Sequence, residues 1–233
     1  MCIRDRVLVR EATELRRRDR VISRREATIR EVHHRVKNNL QTVASLLRLQ
    51  ARRLGDHPMA VAALEESVRR IGAIALVHET LTEEFEGAVD MADVARRVVR
   101  MLEGSLGRED AHIELHTASV RVDAAVATPL AVILNELIQN AIEHGLGDGH
   151  GTVTVELRGG DDQPVVLEVR DDGAGAAAQR PDSPAGSSPG GGLGLRLVRA
   201  LVEEELNGRF TLTHPAGRGS IATAVIPPVE REG

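Results

Sequence analysis

The chain has no tryptophan, no tyrosine and only two phenylalanines among its 233 residues, so its core has to be aliphatic. It has one cysteine, Cys2, which excludes an internal disulfide framework and fits a reducing compartment. No apolar run approaches the roughly 18 residues that a bilayer-spanning helix needs. No signal peptide opens the chain. A cytoplasmic protein is the expectation. The formal net charge of -5 carries no general nucleic-acid signature. The one basic cluster, Arg16 to Arg18 with Arg20, Arg24 and Arg25, is interleaved with acids and free of aromatics, and reads as a solvated helix face.

What remains is ample for one or two domains, since 42% of the residues are hydrophobic. Met1 to Arg6 shows no periodicity, and Val7 to Arg30 is charged and free of Gly and Pro. Residues 1–30 are expected to be a helical linker from a sensor region that precedes this chain. From Val32, apolar residues at Val36, Leu40, Val43, Leu47 and Leu54 predict a helix with one buried stripe. Gly55-Asp56-His57-Pro58 predicts a turn, with Pro58 opening a second helix through Val61, Leu64, Val68, Ile71, Ala75 and His78. Such a hairpin, over 31–85, leaves apolar stripes it cannot cover alone. Pairing two copies into a four-helix bundle would bury them, so a homodimer is expected.

A mixed α+β domain is expected over 90–228. Its elements are a helix (91–105), strands (111–116, 119–122), a long helix (124–145), strands (151–158, 164–171), a helix (193–206) and strands (209–214, 219–226). Alternation marks the strands, as at Val153, Val155 and Leu157 and again at Val165, Leu167 and Val169. The Gly-, Pro- and Ser-rich stretch 173–192 is too long for a simple connector and reads as a lid or loop.

The run Glu31-Val-His-His-Arg-Val-Lys-Asn-Asn39 puts two imidazoles beside two cations, which suits a phosphate better than a metal. At about 100° per residue from Val32, the apolar residues Val36 to Leu47 fall within roughly 80°, His33 at about 100° and His34 at about 200°. His34 therefore faces water with Lys37, Asn38, Gln41 and Ser45, and is the favoured phosphoacceptor. Attack needs an unprotonated imidazole nitrogen, and Arg35 and Lys37 would neutralise the incoming phosphoryl group. Glu31, one turn before His34, is a candidate to orient its ring. Taken alone, the segment also fits two surface histidines on a helix.

Three downstream segments supply the nucleotide. In Asn135 to His144, Glu136 and Asn140 share a helix face while Leu134, Leu137, Ile138 and Ala141 bury the other. Oxygen ligands there suit Mg²⁺ and phosphates. Asp171-Asp172-Gly173-Ala174-Gly175 follows a strand, where an Asp accepts a hydrogen bond from an exocyclic amine and glycines admit a flat ring. Gly190-Gly191-Gly192-Leu193-Gly194-Leu195 opens a helix whose N–H groups suit phosphate. It is no Walker loop, because neither Lys-Ser nor Lys-Thr follows. Singly, each segment is compatible with an ordinary helix or turn.

Together, in order and spacing, these segments resemble the H, N, G1 and G2 boxes of the sensor histidine kinases of two-component systems. Gly217-Arg218-Gly219-Ser220 resembles the last glycine turn. His33 to Gln41 and Leu76-Val77-His78-Glu79 look like the HisKA_2 subfamily; the related HWE subfamily has a hallmark Trp that this chain lacks. The Thr28 to His34 run and Leu46 to Arg53 are similar to the PdtaS-type kinases, whose partner regulator carries an RNA-binding antitermination domain. The resemblance implies a Bergerat-type α/β sandwich that binds ATP and Mg²⁺. It also implies phosphotransfer from ATP to His34 and then to an Asp of a response regulator receiver domain.

The implied site residues are Asn140 for Mg²⁺, Asn135 for phosphates, Asp171 with Gly173 and Gly175 for adenine, and Gly192, Gly194, Leu195 and Ser220 around the phosphates and the last turn. Two positions depart from the family. Arg35 stands where an acid commonly follows the phosphorylated histidine, which leaves the base open; by analogy with related ATPases, Glu136 is a candidate. Glu143 stands where the N box has a Lys, so phosphate charge has to be met elsewhere. The alternatives are a protein serine kinase of the same sandwich fold, which would not need His34, and a non-catalytic dimeric scaffold. Neither direct nucleic-acid nor membrane binding is expected.

Overall fold

The computed structural model describes residues 28, 31–83, 88–105, 111–146, 151–160, 162–173, 191–215 and 219–228. Helix α1 (31–53) ends at a turn in which the Leu54 N–H reaches the carbonyls of Gln50 and Ala51. Pro58 then opens α2 (Pro58–Glu83), a position where its missing N–H costs nothing. The linker expected over 1–30 lies outside the described residues apart from Thr28.

The buried line of α1 is not the stripe expected. Ala44 and Ala51 are buried and His33, Val36, Lys37, Leu40 and Leu47 half-buried, whereas Val32, Val43 and Leu54 are exposed. On the helical wheel that line centres at about 100° from Val32, with His33 on it. The alanines admit α2 closely, and Val32, Val43, Leu46, Leu49 and Leu54 stay open on an adjacent face. The sequence stripe had merged two faces, one packed on α2 and one open.

The second helix is shared between two partners. One side meets α1; the other sends Ala73, Val77 and Leu81 into the core of the α/β domain. There, Gly72 lies so close to α3 (Met91–Ser105) that a Cβ would stand 2.9 Å from the Met101 sulfur. A short strand β1 (Ala88–Asp90), which periodicity did not predict, pairs antiparallel with β3 (Arg121–Asp123). The Asp90 carboxylate caps α3 at the Ala92 N–H, 2.9 Å, and ties down the Val120 N–H, 3.1 Å.

The main sheet has the order β2-β4-β5-β7-β6. It comprises β2 (Ala111–Thr117), β4 (Gly151–Gly160), β5 (Gln163–Asp171), β7 (Ile221–Ile226) and β6 (Arg209–Thr213). Among the described strands, only β2 and β4 run parallel. Alternation buries Val153, Val155, Leu157, Val165, Leu167, Val169, Ala222, Ala224 and Ile226 on one face. That face is covered by α3, by α4 (Ala124–Asn140), which continues as a π-helical turn Ala141–Leu146, and by α5 (Gly191–Arg199), which continues through Ala200–Glu205. The result is a two-layer α/β sandwich beside a helical hairpin, as expected. The segment Ala124–Leu146 is long and apolar enough to cross a bilayer, contrary to the sequence expectation, but 78% of its apolar window is buried inside the domain.

Candidate functional site

The sheet delivers Asp171 to the end of β5, almost buried at 8% exposure. Its two carboxylate oxygens accept the N–H groups of Gly173 (3.2 Å) and Ser220 (3.0 Å), so they are aimed by backbone alone. The Asp171 N–H in turn donates to the Ser220 carbonyl. Three glycines wall this carboxyl. A Cβ at Gly145 or Gly219 would overlap Asp171 itself, and one at Gly173 would strike the Gly145 carbonyl. The π-helical turn that ends α4 brings Gly145 there, a local widening of the kind common at functional sites. Asp172 points elsewhere, accepting the Thr152 N–H at 2.7 Å.

On α4, Asn140 is half-buried and its side chain makes no hydrogen bond with any described residue, which leaves its amide oxygen available. Asn135 is fully buried behind Glu136: its Nδ2 donates to Glu136 Oε1 (3.1 Å) and its Oδ1 has no partner. It therefore meets Glu136 rather than open space. Glu136 is 5% exposed and doubly engaged, accepting Arg70 Nε at Oε1 (2.9 Å) and Arg70 Nη2 at Oε2 (2.8 Å). Gly194, in the first turn of α5, faces the same carboxylate; a Cβ there would stand 2.8 Å from Glu136 Oε2. Leu195 packs on the core and Gly192 lies in the helix opening. Gly175 and most of 173–192 lie outside the described residues.

The histidines separate as helical phase suggests. His34 is exposed on α1, and His33 turns onto α2, its Nδ1 3.0 Å from His78 Nδ1. One turn on, Lys37 Nζ holds Glu79 at 2.6 Å, and Arg97 from α3 approaches the same carboxylate at 3.7 Å. Lys37 is thus tied to α2 rather than standing free beside His34. Glu31 does not orient His34: it accepts Arg35 Nε at 2.7 Å, because i,i+4 geometry favours that ion pair.

Comparison with known proteins matches both halves of this architecture. A histidine kinase family model, HisKA_2, fits residues 31–106, and the model for histidine kinase-, DNA gyrase B- and HSP90-like ATPases fits residues 125–230. The chain belongs to the histidine kinases. It is 39% identical over 235 residues to the sensor histidine kinase PdtaS of Mycobacterium tuberculosis and 40% identical over 231 to that of Mycolicibacterium smegmatis. Each match covers 97% of this chain and 44% of the relative, so the chain spans under half of their length. The histidine kinase domain of the Erythrobacter litoralis EL346 blue-light-activated kinase superposes with a TM-score of 0.61 at 24% identity, covering 90% of this chain and 94% of that one, which supports the fold.

In this histidine kinase, sequence reasoning missed Arg70 and Gly145. Arg70 carried no signal, because its partner is 66 residues away. Gly145 follows the N box directly, and a glycine inside a helical stretch is a sign of close approach that the sequence did offer.

Proposed function

We propose that this chain is the catalytic core of a histidine autokinase that moves the γ-phosphoryl group of ATP to His34 and then to an aspartate of a response regulator. The observation that carries this reading is the Asp171 carboxylate, fixed by the Gly173 and Ser220 amides inside a wall of glycines. Such a group accepts a hydrogen bond from an exocyclic amine while leaving room for a flat purine. The phosphates extend toward Asn140 and the N–H groups opening α5, where a helix terminus favours negative charge. The free amide oxygen of Asn140 fits a hard divalent cation, and Mg²⁺ bound there would offset phosphate charge.

At His34, an unprotonated ring nitrogen attacks the γ-phosphorus. A P–N bond forms, the bond to the β,γ-bridging oxygen breaks, and ADP leaves with that electron pair. Exposure of His34 supports access both for the nucleotide and for a receiver aspartate, whose oxygen takes the phosphoryl group and returns the histidine. The open residues Val43, Leu46, Leu49 and Leu54 support pairing of two hairpins across that face. Asn135 acts through Glu136, the candidate base, rather than on phosphate directly.

The test is incubation with γ-labelled ATP. Acid-labile label retained in His33→Gln and lost in His34→Gln supports the reading. Label lost only in His33→Gln moves the acceptor. Acid-stable label favours a serine kinase, and no label at all favours a scaffold.

A further inference from the structure

The contact between α2 and α4 has two ends of different chemistry. At the C-terminal end of α2, Ala73, Val77 and Leu81 are buried in the common core. At the N-terminal end it is charged. Arg70 forks onto both oxygens of Glu136 and also holds Glu66 one turn earlier on its own helix, while Arg69 lies 3.8 Å from Glu143. The Arg70 and Glu136 side chains are 20% and 5% exposed, so little water reaches the pair. Hydrogen bonding to Glu136 holds the guanidinium firmly protonated, and burial pushes the Glu66 carboxyl up despite the attraction of Arg70.

This pairing has a geometric consequence. His33 lies against His78, which sets the level of His34 along α2. Arg70 is eight residues earlier, about 12 Å lower at the helical rise. Within one chain, Glu136 and the phosphate-binding turn at Gly194 are therefore held about two turns away from the phosphoacceptor. Glu136 also has both oxygens occupied by Arg70 and one of them by Asn135, so neither oxygen is turned toward an incoming group.

We propose that Arg70 is a positioning residue of the phosphotransfer reaction: through Glu136 it clamps the ATP-binding domain low on α2 in a resting arrangement, and it releases Glu136 before the phosphoryl group reaches His34. The charged end of the contact opens while the apolar end serves as the pivot, because separating the apolar end would expose core side chains to water. This rests on the reading of His34 as acceptor.

The test uses the full chain. Arg70→Met leaves Glu136 buried without its partner, which drives the charged end open. Autophosphorylation is expected to rise about threefold or more in this variant as the population shifts. Affinity for a fluorescent ATP analogue should stay within about twofold, since neither residue then competes for nucleotide. Glu66→Gln, which only loosens Arg70, should give a smaller rise, and Arg70→Lys, which keeps charge but loses the fork, should fall between wild type and Arg70→Met. Spin labels at Arg48→Cys and Arg158→Cys, in a Cys2→Ser background and mixed with excess unlabelled chain so that a dimer carries one labelled copy, should report one distance in wild type and a broadened distribution in Arg70→Met. Slower labelling of Arg70→Met with nucleotide affinity retained would overturn the proposal, as would unchanged rate and unchanged distances. If wild type itself takes no label, the autokinase reading fails, and the distance measurement alone decides whether the clamp exists.

Discussion

His33 and His78 face each other across the hairpin, Nδ1 to Nδ1 at 3.0 Å with ring centroids 5.3 Å apart. One ring must donate and the other accept, so the bond needs at least one neutral imidazole. Burial first, and then His33, pushes His78 below its ordinary 6.5. The unfolded chain therefore binds that proton more readily than the folded one. The stability this pair contributes is present above the ordinary histidine pKa and is lost as pH falls below it. Thermal unfolding should drop more steeply between about pH 7.5 and pH 5.5 in wild type than in His78→Gln, which keeps a hydrogen-bonding group but does not titrate. Parallel curves for the two proteins would contradict this.

Asp171→Asn should weaken nucleotide binding by about 10- to 100-fold, the usual worth of a charge-assisted hydrogen bond. The amide keeps one acceptor but turns its NH₂ toward the other backbone N–H, so stability should fall as well, by about 1–3 kcal/mol. Isothermal titration with ATP alongside calorimetric unfolding separates the two effects.

Gly145→Ala places a methyl group inside the Asp171 carboxyl. Either the π-helical turn or the end of β5 must shift, at about 1–3 kcal/mol. A lowered melting midpoint together with lost ATP affinity is the expected pair of results. Loss of stability with intact affinity would show that the turn, not Asp171, yields.

Asn140→Ala removes an amide with no partner among the described residues, so stability should stay within about 0.5 kcal/mol of wild type. ATP affinity should fall in the presence of Mg²⁺ and change little in EDTA. An equal fall in both conditions would place Asn140 on the nucleotide instead of the metal.

Leu46 is 55% exposed and Leu49 46% exposed on the open face of α1. Leu46→Glu with Leu49→Glu should halve the mass seen by sedimentation equilibrium while leaving ATP affinity unchanged, since both lie far along the chain from the α/β domain's ligand groups.

Much of this was legible in the chain. The strands announced themselves because one face of the sheet is buried and the other is not, so Val153, Val155 and Leu157 alternate with Thr154 and Glu156. Asp171 and Gly173 were legible because glycine at a strand end has few uses other than close approach, whereas Gly145 was not singled out. The α1 stripe was misread because a helix with two neighbouring apolar faces shows one broad stripe, and periodicity cannot divide it. The strand β1 was missed because three residues carry no period. Asn135, which the resemblance implied for phosphates, has its amide on Glu136, a contact that no local pattern announces.

The sequence alone determined the mixed α+β architecture and the different phases of His33 and His34, and it set the expected nucleotide residues on α4, β5 and α5. All of these follow from local spacing, which helices and strands convert into direction by fixed geometry. Only the tertiary structure decided what those directed groups meet. It gave His33 to His78, Lys37 to Glu79 and Glu136 to Arg70, pairings 42 to 66 residues apart. Such partners are chosen by how α2 packs between α1 and α4, and no local pattern records that packing.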